Sequence, residues 1–129
     1  MASAPTARDR GLQLLREGSF AESIDFLTQA VAEDPLDIDA YLYLAFAYVH
    51  QGDFEKCVSV LEQAADAAPT SAQVHYNLGV AYHKANNLTQ AKDEYFRALG
   101  LDPNYAAAKA AVDKLSAGAG SAEKHLTQV

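Results

Sequence analysis

Four histidines, one cysteine and seventeen carboxylates are the side chains of this 129-residue sequence with the most chemical capacity. Their spacing withholds the usual reactions. Zinc-assisted hydrolysis on a helix needs two imidazoles one turn apart with a carboxylate between them, and His50, His75, His83 and His125 contain no i, i+4 pair. No metal or other cofactor is expected. Cys57 stands alone, so it can neither close an internal disulfide nor join the paired cysteines of a zinc site. Glu22, Asp25, Glu55, Glu62 and Glu94 fall at helix edges and read as a solvated face. A glycine-rich phosphate loop and a Gly-x-Ser-x-Gly elbow are both missing from the sequence. The residues that could react are not arranged to do so, and a non-enzymatic role is expected.

The elements that position these residues have a globular composition, 50% hydrophobic and 21% charged. Acidic residues outnumber basic ones by 17 to 10, a formal charge of −7. That balance argues against nucleic acid and against an anionic membrane surface, which clustered Lys and Arg would be needed to attract. The opening Met1-Ala-Ser-Ala-Pro-Thr6 lacks the basic and apolar segments of a secretory signal. With one cysteine and no long apolar run, a cytoplasmic location is expected.

Pro35, Pro69 and Pro103 are evenly spaced, each closing a similar phrase such as Ala98-Leu-Gly-Leu-Asp-Pro103. A shift by that same interval aligns Phe20, Phe54 and Leu88, then Ser23, Cys57 and Ala91, then Leu27, Leu61 and Tyr95. Three units follow: 4–37, 38–71 and 72–105. Within 72–105, Val74, Leu78, Ala81 and Tyr82 share one helical face, and Ala91, Tyr95, Ala98 and Leu99 share a second between about Leu88 and Leu101. Between the faces lies Ala85-Asn-Asn87, matched earlier by Gly18 and Gly52, residues that tolerate the left-handed backbone ending a helix. Each proline then blocks continuation of the second helix. The unit is helix–turn–helix, and the chain is all-α.

Leu78-Gly79-x-x-Tyr82 with Ala91, Tyr95, Ala98 and Pro103 resembles the tetratricopeptide repeat, as does Leu44-Ala45-x-x-Tyr48 with Cys57, Leu61, Ala64 and Pro69. The resemblance implies three repeats in a right-handed superhelix with a concave groove. Small residues (Ala45, Gly79, Ala64, Ala98) let paired helices approach, and Tyr48 and Tyr82 fill the gaps. Unit 4–37 departs from the pattern, with Ala7 at the bulky position and Arg10 at the leucine position, as an end repeat facing solvent can. Cys57 takes a small position and is expected to pack in the core; His75 takes a bulky one and is expected to be half-buried. A helix over about 105–117, anchored by Val112 and Leu115, is expected to cap the third repeat, with 118–129 a flexible tail.

In this family the first helix of each repeat lines the concave face. The resemblance places Leu12 and Arg16 there, then Asp39, Leu42, Tyr43, Phe46, Val49 and His50, then Gln73, Tyr76, Asn77, Val80, His83 and Lys84. Tyr41-Leu-Tyr-Leu-Ala-Phe46 is apolar almost all round, which leaves Leu42, Tyr43 and Phe46 without a partner inside the repeat. Exposed apolar patches mark contact surfaces. The expected function is an adaptor binding a hydrophobic or amphipathic peptide in the groove, with Gln73, Asn77 and Lys84 holding its polar groups. The patch could instead pack on the cap, or serve a self-associating scaffold as a homo-oligomer contact. Relatives that clamp the C-terminal carboxylate of heat-shock chaperones use cations and asparagines where this chain has Arg8, Leu12, Tyr43, Gln73 and Asn77. Only Arg8 keeps the required sign, so that partner class is not expected; recognition of a hydrophobic segment, as in chaperone-like repeat proteins that hold translocators or build assemblies, resembles the residue set better.

Charge divides along the chain: units 4–37 and 38–71 each carry −4, unit 72–105 is neutral, and residues 106–129 carry +1. The final Thr127-Gln-Val129 resembles endings bound by strand addition to PDZ domains.

Overall fold

The computed structural model describes the backbone of residues 4–127 and the side chains of residues 4–118. Met1-Ala-Ser3 of the N-terminal segment, and Gln128 and Val129 of the C-terminal Thr-Gln-Val, lie outside the described residues. Among the described residues there are seven helices and no strand: α1 (Ala7–Arg16), α2 (Phe20–Glu33), α3 (Ile38–His50), α4 (Phe54–Ala67), α5 (Ala72–Lys84), α6 (Leu88–Leu101) and α7 (Ala106–Thr127).

Local chemistry sets these limits. Thr6 and Asp9 form a reciprocal cap on α1, the Asp9 N–H donating to the Thr6 hydroxyl at 3.0 Å and the Thr6 N–H to the Asp9 carboxylate at 3.3 Å. Asp37, Asp53 and Ser71 accept from the third N–H of α3, α4 and α5, each at 3.2 Å. The hairpin turns repeat one geometry at the interval of the prolines, with Gly18, Gly52 and Asn86 at φ of 80°, 76° and 64°. In each, the next residue donates back to a carbonyl of the preceding helix, as Asn87 does to Tyr82 at 2.8 Å.

The helices form two compact units, Met1–Pro69 and Thr70–Val129. In unit 1, α1 packs on α2, α2 on α3 and α3 on α4 around Leu27, Tyr41, Leu44, Cys57 and Leu61. Cys57 is 1% exposed, in the small core position expected of it. The Tyr41 hydroxyl donates to the Pro35 carbonyl at 3.0 Å, tying the inter-repeat loop to α3. In unit 2, α6 packs on α5 and on α7 around Val74, Leu78, Tyr95 and Ala98. Gly79 permits the close crossing of α5 and α6, since a Cβ there would lie 2.6 Å from the Tyr95 ring.

Three expectations need correcting. Glu94, read as part of a solvated face, is 5% exposed, and His75 is buried rather than half-buried, because the two side chains meet at 2.7 Å inside α5–α6. The α7 helix does not end near residue 117 but runs to Thr127. Gly118 and Gly120 cost about 1 kcal/mol each relative to alanine, yet unlike proline they leave the backbone hydrogen bonds intact. Ala108, fully buried, anchors α7 more deeply than the half-buried Val112 and Leu115.

Candidate functional site

On unit 1, the α3 ridge carries Leu42, Tyr43, Phe46 and His50. Phe46 is 49% exposed. Its ring lies 4.3 Å from that of His50, and Phe20, from the start of α2, stacks on His50 at 4.6 Å and 11°. Phe20 also meets Phe46 edge-on at 6.4 Å. Sequence reasoning placed Phe20 only in the helix framework; its position at the α1–α2 turn, opposite the end of α3, was the available signal.

Leu42 and Tyr43 are half-buried, as is Leu12 on α1. Tyr43 is not free of intramolecular contacts. The Arg8 guanidinium lies 5.5 Å over its ring and is held by Asp37 at 2.8 Å and Asp39 at 3.5 Å. Leu42, Tyr43 and Phe46 were expected to have no partner inside their own repeat; the preceding repeat supplies neighbours to two of them, Phe20 to Phe46 and the Arg8 guanidinium to Tyr43. Arg8 is already engaged by two carboxylates, and the exposed Asp39 is one of them.

On unit 2, Tyr76, Val80 and Lys84 of α5 line a cavity of about 480 Å³ with His83, Tyr95 of α6, and Ala107, Ala110, Ala111 and Lys114 of α7. The cap residues were not anticipated, because small alanines carry no chemical signature. The Tyr76 ring lies 5.7 Å from that of Tyr95 and 5.3 Å from that of Tyr105. Burial, with Tyr76 beside it, pushes the Tyr95 phenol up to about 12. Burial first, then Tyr76 and Asp102, pushes Tyr105 up as well. Both hydroxyls stay protonated at neutral pH, which keeps the aromatic floor uncharged. Gln73 is exposed and Asn77 half-buried, and neither lines this cavity.

The remaining polar cluster is structural in character. Glu94 is hydrogen-bonded to the His75 Nδ1 and paired with Arg97. Among the described residues, no group of three or more His, Cys, Asp and Glu side chains is placed to hold a metal ion. No helix among them is long and apolar enough to cross a membrane.

Three helix hairpins at one regular spacing, each with the same turn and small-residue crossing, define an α-helical repeat protein. Two sequence profiles described as tetratricopeptide repeat match residues 14–69 and 72–105, together more than half of the chain, and the chain belongs to that family. It is 24% identical over 112 residues to the Hsp70-Hsp90 organising protein of Plasmodium falciparum, a match covering 87% of this chain and 44% of that protein. The chain thus spans less than half the length of this curated relative. The structure resembles the first TPR domain of human RPAP3, with a TM-score of 0.79 and 25% identity over 92% of this chain and 93% of that one. It also resembles the first TPR of Spaghetti (RPAP3) bound to the HSP90 peptide SRMEEVD, with a TM-score of 0.80 and 24% identity over 88% and 90% of the two chains, a likeness of fold.

Proposed function

We propose that the chain is a non-enzymatic adaptor that binds a hydrophobic or amphipathic peptide segment of a protein partner on the first-helix faces of its repeats. The observation that carries this reading is Phe46, a large apolar ring left half exposed above Phe20 and His50 on a face that also offers Leu42 and Tyr43. Such rings give contact area at little cost in side-chain entropy. On unit 2, Tyr76 and Val80 offer further apolar surface within the α5–α7 cavity.

The SRMEEVD-bound neighbour gives a precedent for peptide binding by this fold. The partner of this chain differs in chemistry at the clamp positions, where Leu12, Tyr43, Gln73 and Asn77 are uncharged and Arg8 is occupied by Asp37 and Asp39. The test is the double variant Tyr43→Ala/Phe46→Ala in pull-downs with the full chain. Partner binding falls at least tenfold while far-UV circular dichroism keeps its helical amplitude. Undiminished capture by the variant moves the site elsewhere, and light scattering across a concentration series shows whether the same face joins two copies instead.

A further inference from the structure

The two long walls of the unit 2 cavity are helix ridges. Tyr76, Val80 and Lys84 follow one another at i, i+4, i+8 on α5; Ala110 and Lys114 stand at i, i+4 on α7. Rows of this spacing are the ridges between which a neighbouring helix seats its own. The α7 wall is alanine, so a third backbone can come close without meeting a bulky side chain. From Tyr76 to Lys84 the α5 wall runs for about 12 Å, or two helical turns.

The charge of the slot is one-sided. Its lining includes Lys84, Lys114 and His83 and no carboxylate. Neither lysine side chain has a hydrogen bond or ion pair among the described residues; Arg10, Arg16, Lys92 and Lys109 are likewise unpaired, but none of those lies with a second cation in the lining of an apolar slot. In a chain of net charge −7, the slot is a local patch of positive charge beside an apolar lining, complementary to an external anion.

We propose that the slot between α5 and α7 receives an amphipathic helix of the partner, its apolar stripe on Tyr76, Val80 and the α7 alanines and its flanking carboxylates between Lys84 and Lys114. This rests on the peptide-binding reading and adds to it the conformation and charge of the bound segment. The cations involved lie outside the clamp positions, which in this unit are Gln73 and Asn77.

The test titrates the full chain with three fluorescein-labelled peptides, each long enough for about four helical turns. One has leucines at i, i+3, i+4 and i+7 with glutamates flanking the stripe. The second replaces the glutamates by lysines, and the third scrambles the first. The first peptide binds tightest and gains helical circular dichroism on binding. Lys84→Glu/Lys114→Glu weakens it about tenfold, the order expected from reversing two exposed ion pairs, and turns the preference towards the lysine peptide. Ala110→Trp, at an exposed alanine of the slot, blocks all helical binding without loss of fold.

Equal affinity for the scrambled peptide overturns the helical occupant. A preference unmoved by the charge reversal overturns the acidic one. Either result leaves the adaptor reading standing as long as Tyr43→Ala/Phe46→Ala still loses the partner, so the two failures are told apart.

Discussion

Tyr41 and Val60 of unit 1 stand one repeat before His75 and Glu94 of unit 2. In α3 and α4 those positions hold an aromatic ring and an aliphatic side chain, 6% and 8% exposed. In α5 and α6 they hold an imidazole and a carboxylate in a 2.7 Å hydrogen bond, equally buried, with Arg97 reaching the carboxylate from the surface. One backbone plan therefore accepts either two buried largely apolar side chains or a polar pair at equivalent positions. What differs is the penalty for disturbing it: an apolar contact loses area in proportion to what is removed, whereas half of a buried polar pair leaves its partner desolvated and unsatisfied.

The largest expected effect breaks that pair. Glu94→Ala removes the carboxylate that is hydrogen-bonded to His75 and paired with Arg97, and should cost about 3 kcal/mol of unit 2 stability. Val60→Ala, its counterpart in unit 1, should cost about 2 kcal/mol. Urea unfolding followed by circular dichroism, with amide exchange to assign the loss to a unit, measures both. Copying unit 1 into unit 2 with His75→Tyr/Glu94→Val should recover most of the loss, since replacing both partners of a buried hydrogen bond by apolar groups can be nearly neutral. If the double replacement stays as unstable as Glu94→Ala, the two crossings are not interchangeable.

A second contrast appears at high pH. Burial, then the neighbouring Tyr76, pushes the Tyr95 phenol up to about 12 in the folded chain, from about 10 when unfolded. The folded state thus holds the proton more tightly. The associated stability is complete below pH 10 and is lost as pH rises through 12. Tyr105 shifts in the same direction. The urea midpoint should therefore fall between pH 10 and 12, and Tyr95→Phe should flatten the fall. An unchanged slope in that variant would assign the alkaline transition to other groups.

How much was legible in advance follows from the kind of signal each feature leaves. The helices, their turns and the positions of Gly79, Ala98 and Cys57 recur with each unit, and repetition shows in a single sequence. The helix α6, Leu88–Leu101, falls where a helix from about Leu88 to Leu101 is expected, because Asn86-Asn87 and Pro103 punctuate both ends. Glu94 was misread because helical periodicity assigns a face but not a partner; only the proximity of His75, on another helix, makes its burial tolerable. The Phe20–His50 stack and the alanine wall of α7 were missed for a related reason: each arises where separate helices meet.

The smallest expected effect concerns the cations on two faces, one in each unit. Arg8 of unit 1 is bound to Asp37 and Asp39 over the Tyr43 ring, while Lys84 and Lys114 of unit 2 have no such partners among the described residues. With Arg8 35% and Asp37 21% exposed, solvent screens the pair, and its coupling should be about 0.5 kcal/mol. A cycle of Arg8→Ala and Asp37→Asn measures it. Asparagine is the right replacement because Asp37 also caps α3 by accepting from the Ala40 N–H, and an alanine would add about 1 kcal/mol of lost cap to the result. A coupling that small means Arg8 can swing off Tyr43 at little cost, leaving the ring available to a partner. A coupling several times larger would mean that the ion pair holds this face shut, and Phe46 alone would then carry the apolar contact on unit 1.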